Sequence, residues 1–315
     1  MILAADIGGT KSHLALADGN GSVVHEKRYP SRDFTDLETV LETFLEDFSI
    51  SREKIGQLVL ALAAPLTGEC IDLTNLPWQV CRKALQERFP QAALHLINDF
   101  QAAALGALVA GEETLLALHD VPRETGGRKL ALGAGTGMGV AYLHREGDHY
   151  RPWPTEAGHI AFAPADEQQW RLCRHLQDRY GRASWERILS GPGLADLYHF
   201  LGPQQPPSEP PAIIDAANGG SDETAIEALS LFARLYGSYC GDMALAWQPS
   251  GGIYLLGGVT THITGWLQQP GFLEAYGAKG RMSTLVNRFP IHIVMEPRAG
   301  LLGAIQYAFQ RQVTS

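Results

Sequence analysis

Three carboxylates and one imidazole fall in loop-like stretches where they could serve as fixed hydrogen-bond acceptors and as a proton acceptor. Asp99 follows Asn98 where the apolar run 94–97 gives way to a helical pattern. Glu156 and His159 share the stretch Thr-Glu-Ala-Gly-His that begins at Thr155, and Glu186 lies in Ser-Trp-Glu-Arg-Ile-Leu-Ser-Gly-Pro-Gly from Ser184. Fixed carboxylate acceptors suit sugar hydroxyls, and an Asp beside one hydroxyl can take its proton as the oxygen attacks phosphorus. Each residue also has a plain structural alternative. Asn98 and Asp99 can cap the helix that follows them, and Glu186 can complement the dipole of a helix expected to start near Ser184.

Glycine turns supply the other half of that chemistry. The stretch Ala-Ala-Asp-Ile-Gly-Gly-Thr-Lys-Ser from Ala4 ends much like a phosphate-binding lysine loop, but Thr10 separates Gly9 from Lys11 and the upstream glycine is missing. The polar/apolar alternation that follows, closed by Asp18-Gly19-Asn20-Gly21, reads as strand, tight turn at Gly8-Gly9-Thr10, strand. Bare backbone amides in such a turn admit a phosphate; an ordinary glycine hairpin is the alternative. The pattern returns after Leu130: an apolar strand over 130–132, a Gly/Thr turn over 133–139 that holds Gly133, Gly135, Thr136 and Gly137, then another strand over 140–144. Thr10 and Thr136 stand 126 positions apart, which points to two related domains. A dinucleotide fingerprint is excluded here, because Met138 and Val140 occupy the positions of the third glycine in the two possible frames and no helix opens. A third glycine pair, Gly257-Gly258, ends the apolar run that starts at Gly251 and offers bare backbone to a flat adenosine; a strand-end turn is its alternative.

The elements needed to hold these groups are legible as alternating strands and helices. An amphipathic helix spans 36–48, with Leu37, Val40, Leu41, Phe44, Leu45 and Phe48 on one face. Strands cover 57–64 and 94–97, and a helix follows over 100–109. A long apolar helix runs over 224–247, a proline-rich loop spans 202–211, a last strand covers 291–295 and a terminal helix covers 300–310. This alternation predicts an α/β fold in two lobes, residues 1–109 with 300–315 forming the smaller and 110–299 the larger, with the active-site cleft between them.

Composition narrows the class. The chain has 315 residues, 45% hydrophobic, and a net charge of −9, so it lacks the basic footprint of a nucleic-acid protein. No run is apolar enough for a membrane helix and no basic leader precedes the first strand, so a cytoplasmic protein is expected. Cys70, Cys81, Cys173 and Cys240 are scattered without a CxxC pair and read as reduced, mostly buried thiols.

Taken in order, Asp6-Ile7-Gly8-Gly9-Thr10, Asn98-Asp99-Phe100, Gly133-Ala134-Gly135-Thr136-Gly137, Glu156-Ala157-Gly158-His159, Glu186 in its Ser-Gly-Pro-Gly context and Leu256-Gly257-Gly258 resemble the bacterial glucokinases over nearly the whole chain. The resemblance implies the two-lobed actin-like ATPase (ribonuclease H-like) fold and ATP-dependent conversion of glucose to glucose 6-phosphate. It implies Asp99 as catalytic base, Asn98, Glu156, His159 and Glu186 as glucose ligands, and the two glycine hairpins as the ATP phosphate site. Asp6 would lie near Mg²⁺ through water, with no direct protein ligand to the metal. A homodimer is implied as well. The chain departs from the family at Ala157, where glycine is usual, and lacks the zinc-binding cysteines that a related sugar-kinase group carries after its Glu-x-x-His. Other readings are a kinase for another hexose, a non-catalytic sugar- or ATP-binding regulator of the same fold, and a chaperone-like ATPase, for whose peptide-binding domain the chain has no spare length. The phosphate donor, ATP or polyphosphate, is left open by the residues themselves.

Overall fold

The computed structural model describes residues 1–202 and 208–313. In chain order the strands are β1 (Ile2–Ile7), β2 (Lys11–Ala17), β3 (Val23–Pro30), β4 (Gln57–Leu62), β5 (Cys70–Asp72), β6 (Gln79–Cys81), β7 (Ala93–Asn98), β8 (Leu115–His119), β9 (Lys129–Ala134), β10 (Met138–Glu146), β11 (His149–Thr155), β12 (Gly252–Leu256) and β13 (Ile291–Val294). The helices are α1 (Leu37–Asp47), α2 (Arg82–Arg88), α3 (Asp99–Val109), α4 (Glu167–Tyr180), α5 (Gly191–Leu201), α6 (Pro210–Asn218), α7 (Glu223–Trp247), α8 (Gly258–His262), α9 (Thr264–Leu267), α10 (Pro270–Gly277), α11 (Ser283–Val286) and α12 (Ala299–Val313). They fall into two compact units. One holds residues 1–112, 146–152 and 296–315, the other 113–145 and 153–295.

Each unit is built on one main sheet, and the two sheets share an order. The first runs β3-β2-β1-β4-β7 and the second β11-β10-β9-β12-β13-β8. In both, the glycine hairpin forms an antiparallel pair, β1 with β2 and β9 with β10, and two parallel strands follow it, β4 and β7 or β12 and β13. The internal repeat read from Thr10 and Thr136 is therefore a repeated sheet.

Burial explains the strand compositions. Strand β1 is central and covered on both faces, so it is apolar at nearly every position. Leu3, Ala5 and Ile7 point with Leu58, Leu60 and Leu62 into a core closed by Leu37, Val40, Leu41, Phe44 and Leu45 of α1. Asp36 caps that helix by accepting from the Thr39 N–H at 2.8 Å. The opposite face of β1 carries Ile2, Ala4 and Asp6, and small side chains there let α12 lie close. Helices α3 and α12 cross at glycines: a Cβ on Gly106 would lie 1.8 Å from the Ala299 carbonyl oxygen, and one on Gly303 would lie 1.7 Å from that of Ala102.

Four expectations change. Cys70 and Cys81 are not reduced thiols: they face each other across β5 and β6 and are joined by a disulfide, whereas Cys173 and Cys240 are free and buried. No helix starts near Ser184, because the Trp185 and Glu186 N–H groups donate instead to the carbonyls of Ile160 and Gly158, at 3.1 and 2.8 Å. The helix begins at Gly191, capped by Ser190 with Pro192 in its first turn. Pro210 and Pro211 open α6 rather than ending a loop, since proline lacks only an amide that a first turn leaves unpaired; positions 203–207 of that expected loop lie outside the described residues. The second turn is narrower than read: Gly133 is a buried strand residue paired with Gly139, and the turn proper is Gly135-Thr136-Gly137.

Candidate active site

The first unit presents one glycine turn and two carboxylates. Strands β1 and β2 pair as far as Ile7 and Ser12, leaving the turn closed by the Gly8 N–H donating to the Lys11 carbonyl at 3.0 Å. Ser31 grips it from the side: its hydroxyl donates to the Gly8 carbonyl at 2.8 Å and its N–H to the Thr10 carbonyl at 3.1 Å. Asn75 covers it from another side, where a Cβ on Gly9 would lie 2.6 Å from the Asn75 Cβ. Neither Gly8 nor Gly9 has a positive φ. Glycine serves close approach here, and Thr10 is left exposed at the tip.

Asp99 is the first residue of α3, at the carboxyl end of the parallel strand β7. Asn98 caps this helix, its Oδ1 accepting from the Phe100 N–H at 3.1 Å and the Gln101 N–H at 3.3 Å, so the structural alternative holds for that oxygen. Asp99 Oδ1 also accepts from the Phe100 N–H, at 2.8 Å. Burial holds the Asp99 carboxyl above the usual carboxylate range, against the hydrogen bonds from Phe100, its own N–H and the Asn98 side chain, yet part of the residue stays exposed.

Asp6 projects from the α12 face of β1. A Cβ on Gly300 would lie 2.3 Å from its Oδ2, so α12 comes against the carboxyl end-on. Although a fraction of Asp6 reaches the surface, the protein around it desolvates the carboxyl and, with the nearby Asp99 charge, pushes it up to about 7; Lys11 acts weakly in the other sense. Its carboxylate accepts no hydrogen bond among the described residues.

The second unit gathers the remaining groups. His159 Nδ1 lies 3.7 Å from Glu186 Oε1, and its Nε2 lies 3.8 Å from Glu156 Oε2, so the imidazole stands between two carboxylates. Backbone hydrogen bonds from Trp185 and Glu186 to Ile160 and Gly158, with a β-bridge between Ala161 and Ser184, hold the two loops in register. The family departure at Ala157 is accommodated: its side chain is buried, and the close approach falls on Gly158, where a Cβ would lie 2.2 Å from the Met138 carbonyl oxygen.

Glu186 also reaches the second glycine turn. Its Oε2 accepts from the Met138 N–H at 3.0 Å and would lie 2.5 Å from a Cβ on Gly137. The turn is closed by the Gly135 N–H donating to the Gly137 carbonyl at 2.9 Å and tied to α5 by the Gly191 N–H donating to the Gly135 carbonyl at 2.8 Å. Side-chain exposure falls from 87% at Glu156 to 58% at His159 and 30% at Glu186, so Glu186 is the anchored member and Glu156 the free one.

Gly257 leaves β12 with φ +98°, a conformation that favours glycine, and a Cβ there would lie 2.3 Å from the Ala134 carbonyl oxygen. Gly258 next to it is exposed and faces no atom within 4 Å. Thr260 accepts from the Ala134 N–H at 3.3 Å, which locks this glycine pair to the strand that feeds the second turn.

Asp6, Gly8, Gly9, Thr10, Asn98 and Asp99 thus belong to one unit, and Gly133, Gly135, Thr136, Gly137, Glu156, His159, Glu186, Gly257 and Gly258 to the other. Ser31 and Asn75 escaped the sequence reading because no local pattern links them to a turn 20 or more residues upstream. Among the described residues, no group of three or more His, Cys, Asp or Glu could hold a metal ion, and no helix is long and apolar enough to cross a membrane.

Comparison with known proteins agrees along the whole length. The family model described as Glucokinase matches residues 3–311. A glucokinase from Marinobacter nauticus is 37% identical, with 96% of each chain covered. One from Chromohalobacter salexigens is 35% identical over 99% of this chain and 98% of that protein. The crystal structure of a glucokinase from an Antarctic psychrotroph superposes with a TM-score of 0.87 at 28% identity, covering 98% of both chains.

Proposed function

The chain belongs to the glucokinase family, and from that membership we propose which of its residues carry out the reaction. It has the actin-like fold of the sugar kinases and phosphorylates glucose to glucose 6-phosphate at the expense of ATP.

Asp99 is the base in this reading. The sugar hydroxyl oxygen attacks the γ-phosphorus, the bond to the bridging oxygen breaks with its electrons leaving to ADP, and the hydroxyl proton passes to the Asp99 carboxylate. A carboxylate made more basic by partial burial suits that task better than a fully solvated one. Asn98, Glu156, His159 and Glu186 hold sugar hydroxyls. The amides of the Gly8–Thr10 and Gly135–Gly137 turns that do not close the turns themselves, those of Gly9, Thr10, Thr136 and Gly137, bind the polyphosphate; Gly8, Gly135 and Gly133 shape the backbone behind them, and position does most of the catalysis. The bare surface at Gly258, beside Gly257, receives the adenosine.

Asp6 fits a divalent cation that arrives with the nucleotide: a desolvated carboxyl beside a second carboxylate, accepting no hydrogen bond, needs positive charge more than another donor. Mg²⁺ brought with ATP would supply it by shielding the phosphate oxygens, with Asp6 reaching it through water. The proposal extends to the cytoplasm, where ATP and imported glucose meet, to the entry of glucose into glycolysis, and to a homodimer, which light scattering tests.

The observation that carries this assignment is Glu186, which stands beside His159 and braces the second glycine turn at once. Initial rates of ADP release over a panel of hexoses, with ATP and Mg²⁺, test it. Glucose-dependent release is expected; release that ignores the sugar would overturn it.

A further inference from the structure

We propose that Cys70 and Cys81 form a reversible thiol–disulfide site whose state sets how firmly the first glycine turn is held. The ribbon they close is minimal. β5 and β6 have three residues each, and Cys70, Asp72 and Gln79 face outwards while Ile71 and Val80 are buried. Two strands alone make a marginal structure in water. Two things hold this one: the buried inner face, continued by Leu73 and Trp78, and the bond between the sulfurs.

The segment inside the bond reaches the site. Leu73 N–H donates to the Trp78 carbonyl at 3.1 Å, and the Thr74 hydroxyl donates to the Ala63 carbonyl at 2.8 Å. Asn75 then lies over the turn, its Cβ and carbonyl oxygen 2.6 and 3.1 Å from where a Cβ on Gly9 would be. The disulfide therefore closes the short loop whose tip covers Gly9. Opening it leaves the buried face in place and frees the outer face, so the cover over Gly9 loosens without unfolding the unit.

The pair is also the accessible one. Cys70 is exposed, whereas Cys173 and Cys240 are buried and burial pushes the Cys240 thiol far up, away from the reactive thiolate. Disulfides in reducing compartments are mostly transient and regulatory. The reaction partner is a dithiol, protein-borne or small. Its thiolate attacks the exposed Cys70 sulfur, the S–S bond breaks, and Cys81 leaves as a thiolate and takes a proton. The partner's second thiol resolves the mixed disulfide and frees Cys70. Two electrons and two protons pass to the protein and the partner becomes a disulfide; an oxidised partner runs the exchange backwards.

The effect on the turn rests on the nucleotide role proposed for Gly8–Thr10, whereas the thiol exchange does not. The test equilibrates the full chain with oxidised or reduced dithiothreitol, counts alkylated thiols by intact mass after denaturation, and measures Kd for Mg-ADP by calorimetry. Two more alkylated thiols are expected after reduction, with Kd at least about twofold weaker. The double variant Cys70→Ser/Cys81→Ser should show the weaker Kd in both buffers. Equal alkylation in the two buffers overturns the site, and changed alkylation with unchanged Kd overturns the link to the turn. A double variant that still responds to redox overturns both. Absent nucleotide binding in either state strikes the assignment of the turn, and the alkylation count still decides the thiol site.

Discussion

The Met138 amide donates to Glu186 Oε2 at 3.0 Å, so the carboxylate that stands beside His159 also braces the second glycine turn. Its two oxygens have separate duties: Oε2 faces the turn, and Oε1 faces the imidazole.

That division makes two substitutions behave differently. Glu186→Gln keeps an oxygen for the Met138 amide but removes the charge, so the glucose KM rises about 10- to 100-fold while the ATP KM stays near wild type. Glu186→Ala removes the brace as well and raises both. Steady-state kinetics with each substrate varied separate the cases; equal effects of the two variants on ATP would break the proposed duty of Oε2.

Asp99→Asn should retain glucose binding, measured by calorimetry, and lose about 10²–10⁴ in kcat. Near-normal turnover would remove Asp99 from the chemistry. The same substitution removes a negative charge that raises Asp6, so the Asp6 titration should move to lower pH in carboxyl NMR.

Asp6 holds its proton more tightly folded than unfolded, because its pKa rises from 3.8 to about 7. Its contribution to stability is complete below the unfolded value and is lost as pH rises through the folded one. In Asp6→Asn that loss disappears, and the melting temperature of the ligand-free protein at pH 8 rises by about 2–4 °C. Nucleotide with Mg²⁺ favours the charged form, so binding below pH 7 should release a proton in wild type and not in the variant. Calorimetry in buffers of different ionisation enthalpy reads this directly, and equal release in both proteins would exonerate Asp6.

Glycines at two places predict opposite outcomes. Gly303→Ala drives a methyl into the Ala102 carbonyl between α12 and α3, and should cost about 1–3 kcal/mol or more in urea unfolding. Gly258→Ala meets open space, so its unfolding midpoint should match wild type while the ATP KM rises. A destabilised Gly258→Ala, or an unaffected ATP KM, counts against the adenosine surface.

The sequence carried the local features well. Strand alternation around Gly8–Thr10 and Gly135–Gly137 was readable because a hairpin is a short-range object, and the breadth of the apolar run in α7 announced burial. Much of what failed depended on distant partners. Glu186-Arg187-Ile188-Leu189 looks helical by composition, but the Glu186 amide is taken by Gly158, 28 positions upstream. Cys70 and Cys81 lack a motif, yet the alternation through Ile71 and Val80 around Asn75-Leu76-Pro77 could have suggested a ribbon with the two sulfurs opposite. Asn75 over Gly9 and Ser31 beneath Gly8 carry no signal at all, since only the folded sheet brings them together.

The first unit needs α12 to cover β1 and to seat Gly303 against α3, and residues from Glu296 onward lie 184 positions after Glu112. On a ribosome adding about 5–20 residues per second, the opening segment waits roughly 10–40 s for that cover. The intervening unit can finish first, reversing the usual order in which nascent chains mature. Until residues 299–313 emerge, the Ala4 and Ala61 face of the first sheet lacks the cover of α12, and the surface it will bury stays wet.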